Sequence, residues 1–322
     1  MRSDGSASVR STRRWSRRSS GTATTAGGGS RSKQSRERRV KILVTGAAGQ
    51  LGRELVDAAA KSGHDVRGLA RADLDVTDAA AVRTVVARER PDVIVHAAAW
   101  TAVDACESDR DKAFLFNGTA TRHVVSAARD AGARVVYVST DYVFDGTKTQ
   151  PYVETDAPNP QSVYGASKLA GEQALNLALD AVVRISWVCG FHGANMVKTI
   201  LRIAAQQDTL TFVDDQVGNP TFADDAAAMI VRMAADERRG IWHVTNQGAV
   251  SWYEFTREVM RAAGLDPERV KPVKTRDLQP ARPAPRPANS VLANQRLRDE
   301  GISLLDDFRV PLARLVHRLR LA

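Results

Sequence analysis

Cysteine is almost absent from this sequence. Cys106 and Cys189 are the only two, and neither belongs to a CxxC pair. We therefore expect no disulfide framework and no cysteine-based metal site, and a reducing, cytoplasmic setting fits best. Long hydrophobic runs are missing too, since no stretch approaches the ~18 consecutive apolar residues that a membrane-spanning helix needs. We expect no membrane partner.

Excess positive charge is missing from most of the chain, although the net charge is +9. Residues 1–40 carry eleven basic side chains against Asp4 and Glu37, so this segment accounts for the whole excess. The rest of the chain is balanced and indicates no nucleic-acid partner.

The same segment is rich in Ser, Gly, Thr and Arg and poor in aliphatic residues, which predicts a disordered basic tail. We interpret it as a dispensable extension. A misassigned start, a polyanion-binding arm and a transit peptide are the alternatives.

Apolar β-branched runs alternate with helical patterns along the body of the chain. VKILVTG, PDVIVHAAA and ARVVYVST are such runs, and AVVRISW and IWHVTN could extend the series. This alternation predicts an α/β fold, a Rossmann-type doubly wound parallel sheet with helices on both faces. We predict a cofactor-binding domain over residues 41–185, with 222–246 returning to it, and a smaller, mainly substrate-binding domain over 186–322.

The C-terminal part follows a different pattern. Six of the twelve prolines fall between Pro267 and Pro287, which predicts an irregular segment there. Ser251 stands three residues before Glu254, a capping-box spacing that predicts the start of a helix ending near Gly264.

A glycine-rich turn lies between the first strand and the first helix. The motif TGAAGQLG contains Gly46, Gly49 and Gly52, and Gln50 and Leu51 lie between the last two glycines. Glycines at this point allow a tight turn and let backbone N–H groups approach a pyrophosphate at the positive end of the helix. An ordinary glycine-rich loop is the alternative, but the strand before and the helix after favour a dinucleotide site.

The end of the second strand decides which dinucleotide is expected. No acid follows VRGLA until Asp73, and Arg71 stands where a 2′-phosphate would bind. This favours NADPH, with NADH still possible if Arg71 is only a solvated loop residue. Asp75 and Val76 are candidates to line the adenine site.

The next strands supply further cofactor contacts. Ala98 and Ala99 are small enough for a ribose or nicotinamide to pass close to the backbone, although helix–sheet packing could also explain small residues here. We include Trp100 and Val138 in the predicted cofactor set.

Tyr164 and Lys168 form a YxxxK pair in VYGASKLAGE. Residues four apart share one helix face, so a nearby ammonium could favour the phenolate and make Tyr164 an acid or base. Thr140 ends a strand 24 residues upstream, at the edge where open α/β sheets bind ligands, and its hydroxyl could bind a substrate carbonyl. A lone pair of this kind could equally be a solvated surface pair.

Taken together, these motifs resemble the extended short-chain dehydrogenase/reductase family, and within it the dTDP-4-dehydrorhamnose reductases. The resemblance covers roughly residues 41–320 and includes STDYVFDG, ETDAPNPQSVYGASKLAGE, RISWV, DDQVGNPTF and RPANSVL. It implies hydride transfer from a reduced nicotinamide to carbon 4 of a dTDP-linked 6-deoxy-4-keto sugar, giving dTDP-L-rhamnose.

The resemblance also implies residue roles. Tyr164 would protonate the nascent alkoxide, Lys168 would lower the tyrosine pKa and bind the nicotinamide ribose, and Thr140 would hold the ketone oxygen. Asn117 would shape the helix near the lysine. The implied substrate contacts are Asp141, Tyr142, Trp187, Asn195, Gln216, Arg286 and Asn289. A core tryptophan is the alternative for Trp187.

Two features depart from the family pattern. The acid that some members carry after the second strand is absent, which weakens the case for NADH. Some relatives dimerise through magnesium held by C-terminal glutamates, but Arg309 stands in the corresponding stretch here, so we predict no metal and only a possible homodimer. One rival interpretation is another nucleotide-deoxysugar ketoreductase or epimerase, and a second is a non-catalytic regulatory subunit. The intact set of Thr140, Tyr164 and Lys168 argues against the regulatory subunit.

Overall fold

The computed structural model describes residues 39–321. The predicted disordered tail therefore lies outside the described residues, apart from residues 39 and 40. The proposed division into two domains stays a prediction, and the following paragraphs describe the packing within residues 39–321.

A six-stranded parallel sheet forms the centre of this part of the chain. The strands within residues 39–321 are β1 Lys41–Thr45, β2 Asp65–Leu69, β3 Val93–His96, β4 Arg134–Thr140, β5 Ala181–Ile185, β6 Val188–Cys189, β7 Leu210–Val213, β8 Val217–Gly218, β9 Thr221–Phe222, β10 Gly240–His243, β11 Val250–Ser251 and β12 Val270–Val273. The sheet order is β10-β5-β4-β3-β1-β2, and its pairings are parallel. The chain therefore reverses its direction of winding between β1 and β3, where such sheets bind ligands at their carboxyl edge.

Helices cover both faces of the sheet, as the alternating pattern predicts. The helices within residues 39–321 are α1 Gln50–Lys61, α2 Ala79–Glu89, α3 Val103–Ser108, α4 Arg110–Phe114, α5 Ala120–Asp130, α6 Val163–Glu172, α7 Met196–Ala204, α8 Ala223–Ala235, α9 Trp252–Ala262, α10 Gln295–Asp299 and α11 Arg309–Arg320. A π-helical turn, Leu115–Thr119, joins α4 to α5. Helices α1 and α8 pack on one face, and α2 and α5 pack on the other. The predicted α/β class and Rossmann-type sheet are confirmed.

A third hydrophobic cluster lies among α7, α9 and α11. The predicted cap of α9 is present, because the Ser251 hydroxyl accepts a hydrogen bond from the Glu254 N–H at 3.1 Å. The prediction that the proline-rich segment lacks regular structure is wrong at β12, which pairs with β7 although it contains Pro272. A two-stranded sheet has only edge strands, and an edge tolerates the missing N–H of proline.

Among residues 39–321, no helix is both long enough and apolar enough to span a bilayer.

Candidate active site

The glycine turn after β1 brings three chain segments into close contact. Gly46 has φ +72°, and a Cβ there would lie 2.7 Å from the Ala98 nitrogen. A Cβ at Gly52 would collide with the Gly46 carbonyl oxygen. The Gly49 N–H donates to that same oxygen at 2.9 Å and α1 starts at Gln50. The turn therefore holds the amino end of a twelve-residue helix directly above the sheet edge, an arrangement suited to a pyrophosphate.

A cavity of about 300 Å³, here called the Arg71 cavity, opens beside this turn. Its lining includes the predicted cofactor residues Arg71, Asp75, Val76, Ala98, Ala99 and Trp100. The Arg71 guanidinium lies 5.1 Å from the centroid of the Phe116 ring. Asp73, the first acid after β2, accepts from the Ala70 N–H at 2.9 Å and so stabilises its own turn.

Sequence reasoning missed Lys112, which also lines the Arg71 cavity and lies 4.4 Å from the Trp100 ring centroid. No motif marks Lys112, because it reaches the cavity from α4, far along the chain from the second strand. The cavity therefore presents two cations rather than one.

The central cavity, about 530 Å³, lies between the glycine turn, the end of β4 and α6. It brings together residues predicted from separate motifs, namely Gly46, Gly49, Gln50, Leu51, Gly52, Val138, Thr140, Asp141, Tyr142, Tyr164, Lys168 and Trp187. Helix α6 begins there because the Ser162 hydroxyl caps the Gly165 N–H at 3.1 Å. Tyr164 and Lys168 project from its first two turns.

Lys168 is buried, with 3% of its surface exposed. Its Nζ donates to the Val138 carbonyl oxygen at 2.7 Å and lies 4.1 Å from the Tyr137 ring centroid. Burial lowers the pKa of Lys168 to about 7, because desolvation outweighs the opposing effect of the Glu172 carboxylate. The lysine thus exchanges protons near neutral pH.

Tyr164 is also buried, and its pKa lies well above the usual value of a phenol. Desolvation is the main cause. The Thr140 hydroxyl favours the phenolate, and the Asp141 carboxylate disfavours it. Burial, rather than Lys168, therefore dominates the pKa of Tyr164 and holds the phenol in its protonated form. A protonated phenol suits a proton donor.

Asp141 lies beside these groups and is 2% exposed. Its Oδ1 accepts from the Thr140 hydroxyl at 3.0 Å, whereas Oδ2 is buried and has no hydrogen-bond partner among the described residues. Burial raises the pKa of Asp141 to about 6, against the opposing effect of the Ser290 and Thr140 hydroxyls. The carboxyl group is therefore costly to ionise inside the folded protein.

Replacing Asp141 with asparagine is expected to stabilise the fold at neutral pH. The folded-state pKa is raised, so the wild type loses stability as the pH rises between 3.8 and about 6. Asparagine does not ionise, and D141N should be more stable by up to about 3 kcal/mol above this window and equal to wild type below it. Urea unfolding at pH 4 and pH 8 checks this, and a stability difference that does not change with pH would contradict it.

Trp187 has a strained backbone, with φ +46°. Its ring stacks on Trp252 with centroids 3.6 Å apart and planes 7° from parallel. A Cβ at Gly218 would lie 2.7 Å from the same indole, so only glycine fits behind it. Trp252, which sequence reasoning missed, thus holds Trp187 at the wall of the central cavity. Strain of this kind is concentrated at functional sites.

A third cavity of about 400 Å³, the Arg286 cavity, shares Tyr142 and Trp252 with the central one. The predicted residues Gln216 and Arg286 line it, as does Arg282. The Arg286 guanidinium pairs with both Asp104 oxygens at 2.7 Å. Two cations therefore lie at the end of the cavity, one of them already paired.

Three predicted asparagines do not line these cavities. Asn117 donates to the Trp100 carbonyl oxygen and to the Ser167 hydroxyl, joining the π-helical turn to α6. Asn195 caps α7 and donates to the Gln50 side chain at 2.9 Å. Asn289 donates to the Lys148 carbonyl oxygen at 2.7 Å. The contacts of Asn195 and Asn289 are structural ones, and their binding of substrate stays a prediction.

Within residues 39–321, no three His, Cys, Asp or Glu side chains are grouped to hold a metal ion. Arg309, noted above as a departure from the family pattern, lies 3.3 Å from Glu258.

The chain is similar to known proteins in sequence and in fold. The sequence matches the RmlD substrate binding domain family over residues 40–321. It is 43% identical to a Streptomyces griseus dTDP-4-dehydrorhamnose reductase over 282 residues, which covers 85% of this chain and 92% of the relative. It is 41% identical to a Streptomyces niveus dTDP-4-keto-6-deoxy-D-glucose reductase over 264 residues, or 81% and 91% of the two chains.

Among solved structures, dTDP-4-dehydrorhamnose reductase from Bacillus anthracis in complex with NADP aligns with a TM-score of 0.83 at 35% identity. The alignment covers 87% of this chain and 100% of that one. By the extent of the family match and by these identities, the chain belongs to the RmlD substrate binding domain family.

Proposed function

We propose that this protein uses NADPH to reduce the 4-keto group of dTDP-4-dehydrorhamnose, giving dTDP-L-rhamnose. One observation carries the proposal: Thr140, Tyr164 and Lys168 line the same cavity as the glycine turn. A proton donor and a dinucleotide turn facing one space are the parts that a ketoreductase needs. The names of the Streptomyces griseus and Bacillus anthracis relatives support the choice of sugar.

The described residues fit a dinucleotide. The positions where a Cβ would collide, Gly46 and Gly52, leave backbone N–H groups at the start of α1 open to a pyrophosphate. The Arg71 cavity would take the adenosine end, with Arg71 and Lys112 facing the 2′-phosphate. When bound, NADPH supplies the hydride.

The chain's own groups then handle the ketone oxygen. On substrate binding the Thr140 hydroxyl would turn its proton from Asp141 Oδ1 to that oxygen. Tyr164, protonated because it is buried, donates the proton that turns the oxygen into a hydroxyl group. Lys168 stands on the same helix face and, when protonated, stabilises the phenolate that is left behind. Because Tyr164 and Lys168 are buried, water screens these interactions only weakly.

The sugar nucleotide would extend from the central cavity into the Arg286 cavity. Trp187, stacked on Trp252, offers a flat apolar wall to the sugar ring. Arg282 and Arg286 offer charge to the diphosphate, since a guanidinium matches phosphate geometry. Arg286 already pairs with Asp104. We therefore expect Arg282 to contribute more than Arg286 to binding the diphosphate.

The decisive experiment is a turnover assay with defined sugars. Incubating the protein with NADPH and dTDP-4-dehydrorhamnose should consume NADPH and yield dTDP-L-rhamnose, identified by NMR of the purified product. The Streptomyces niveus relative favours one second candidate, reduction of a different dTDP-4-keto-6-deoxy sugar. Running both sugars in parallel separates the two, and no turnover with either would favour a regulatory role.

Replacing Arg71 with aspartate should shift the preference from NADPH toward NADH. The new carboxylate repels a 2′-phosphate and can accept from a ribose 2′-hydroxyl. We expect kcat/KM for NADPH to fall about 100-fold and that for NADH to rise. Arg67→Asp, the same charge change on an exposed position of β2 outside the cavity, is the control. An unchanged NADPH/NADH ratio in R71D would remove Arg71 from the cofactor site.

A further inference from the structure

A buried ion pair lies directly behind the proposed catalytic groups. Glu172 accepts from Arg184, with Oε1 to Nε at 3.0 Å and Oε2 to Nη2 at 2.7 Å. The Ser139 hydroxyl donates to the same Oε1 at 2.5 Å. Arg184 is 1% exposed and Glu172 7%. Such a pair adds little net stability compared with apolar residues of the same volume, so its presence calls for another reason.

The three residues join the elements that carry the catalytic groups. Glu172 lies one turn after Lys168 on α6, Ser139 comes directly before Thr140 on β4, and Arg184 belongs to β5. The Lys168 Nζ bond to the Val138 carbonyl oxygen is a second link between α6 and β4. Gly171 lets the helix approach this closely, because a Cβ there would collide with the Tyr137 hydroxyl.

Building on the proposed function, we propose that Glu172, held between Arg184 and Ser139, is a positioning residue that sets the place of Lys168 and Thr140. The carboxylate acts through these two residues and does not itself line the central cavity. Its links to β4 and β5 determine how α6 sits on the sheet, and hence how Tyr164 faces Thr140.

The groups around Lys168 determine in which direction its pKa changes when Glu172 is removed. Glu172 faces Lys168 from α6, Tyr137 faces it from β4, and the neutral His96, whose pKa burial lowers to about 3, faces it from β3. Tyr164 lines the same cavity. Asp141 follows β4, and Arg184 on β5 faces Glu172. Glu172 is the group that opposes the desolvation of the ammonium. Its removal therefore makes Lys168 lose its proton at a lower pH.

The test replaces both charges together, because removing Glu172 alone would leave Arg184 buried and unpaired. The double variant E172Q/R184M should fold. We expect its kcat to fall by roughly 10- to 100-fold with KM little changed, because the reacting groups are misplaced while the binding surface stays. We also expect the pH at which NADPH affinity declines to be lower than in the wild type, because the Glu172 carboxylate no longer opposes the desolvation of Lys168.

The matched control removes a second acid–arginine pair, the buried Asp180 and the partly exposed Arg129, at the amino-terminal ends of β4 and β5. The variant D180N/R129M should lose stability comparably but keep the wild-type kcat and pH dependence. NADPH titration needs no sugar, so it tests the inference even if the proposed substrate is wrong.

A folded E172Q/R184M with wild-type kcat and an unshifted pH dependence would overturn the proposal, as would the same changes in the control. If the double variant does not fold, Ser139→Ala decides the matter. It removes only one hydrogen bond to Glu172. Ser139→Ala should lower kcat several-fold in a protein that is less stable but still folded, whereas a wild-type kcat would refute the positioning role.

Discussion

Replacing Tyr164 with phenylalanine is expected to lower kcat by about 10²- to 10⁴-fold, the usual contribution of a positioned general acid. The ring would still fill its buried place against Tyr142, whose ring it meets edge-on at 5.6 Å. Only the hydroxyl that donates the proton is lost. KM and NADPH affinity should therefore stay near wild type, since the phenol acts mainly in the transition state.

Steady-state kinetics together with an NADPH titration check this expectation. Tyr152→Phe is the matched control, because that phenol is also buried but donates to Asp145 at 2.7 Å, outside the three cavities described above. It should cost about 1 kcal/mol of stability and leave kcat unchanged. Unchanged turnover in Y164F would mean that another group supplies the proton, and the proposed mechanism would fail.

Adding one methyl group at Gly52 is expected to abolish tight NADPH binding. In the present conformation the new Cβ of G52A would collide with the Gly46 carbonyl oxygen and lie 2.8 Å from the Ala47 Cα. Both are backbone atoms that cannot rotate aside, so α1 must move away from the turn and take its first N–H groups with it. We expect NADPH affinity to fall at least ~100-fold, and stability to fall by about 1–3 kcal/mol.

Fluorescence titration with NADPH and thermal unfolding measure the two effects separately. Gly63→Ala is the control, because Gly63 has φ +76° but open space around its missing Cβ. It should cost about 1–2 kcal/mol through backbone strain alone and leave NADPH affinity intact. Wild-type affinity in G52A would show that the turn is not the pyrophosphate site.

The variants G52A and Y164F test two different sequence patterns, the glycine spacing and the YxxxK spacing. The glycine spacing predicts a tight turn because only glycine tolerates the close backbone approach, and the structure has that approach at Gly46 and Gly52. The YxxxK spacing predicts that two side chains share a helix face, and Tyr164 and Lys168 do line one cavity. The approach of Gly52 to Gly46 and the shared helix face rest on local geometry, whereas the crowding at Gly46 comes from Ala98, which β3 brings beside the turn.

Groups that come together from distant parts of the chain were beyond such reasoning. Lys112 reaches the Arg71 cavity from α4, and Trp252 stacks on Trp187 from α9. The pairing of Asp104 with Arg286 joins residues 182 positions apart. No spacing rule links these residues, because their proximity follows from how the helices and loops pack around the sheet.

The sequence alone determined the alternation of strands and helices, the glycine turn and the shared face of Tyr164 and Lys168, because each depends on residues close together in the chain. Tertiary structure decided the protonation states. Burial raises the pKa of Tyr164 and lowers that of Lys168 to about 7, whereas the motif suggested that the lysine would lower the tyrosine's. The reason is physical: desolvation depends on everything that surrounds a group, and only the folded chain specifies those surroundings.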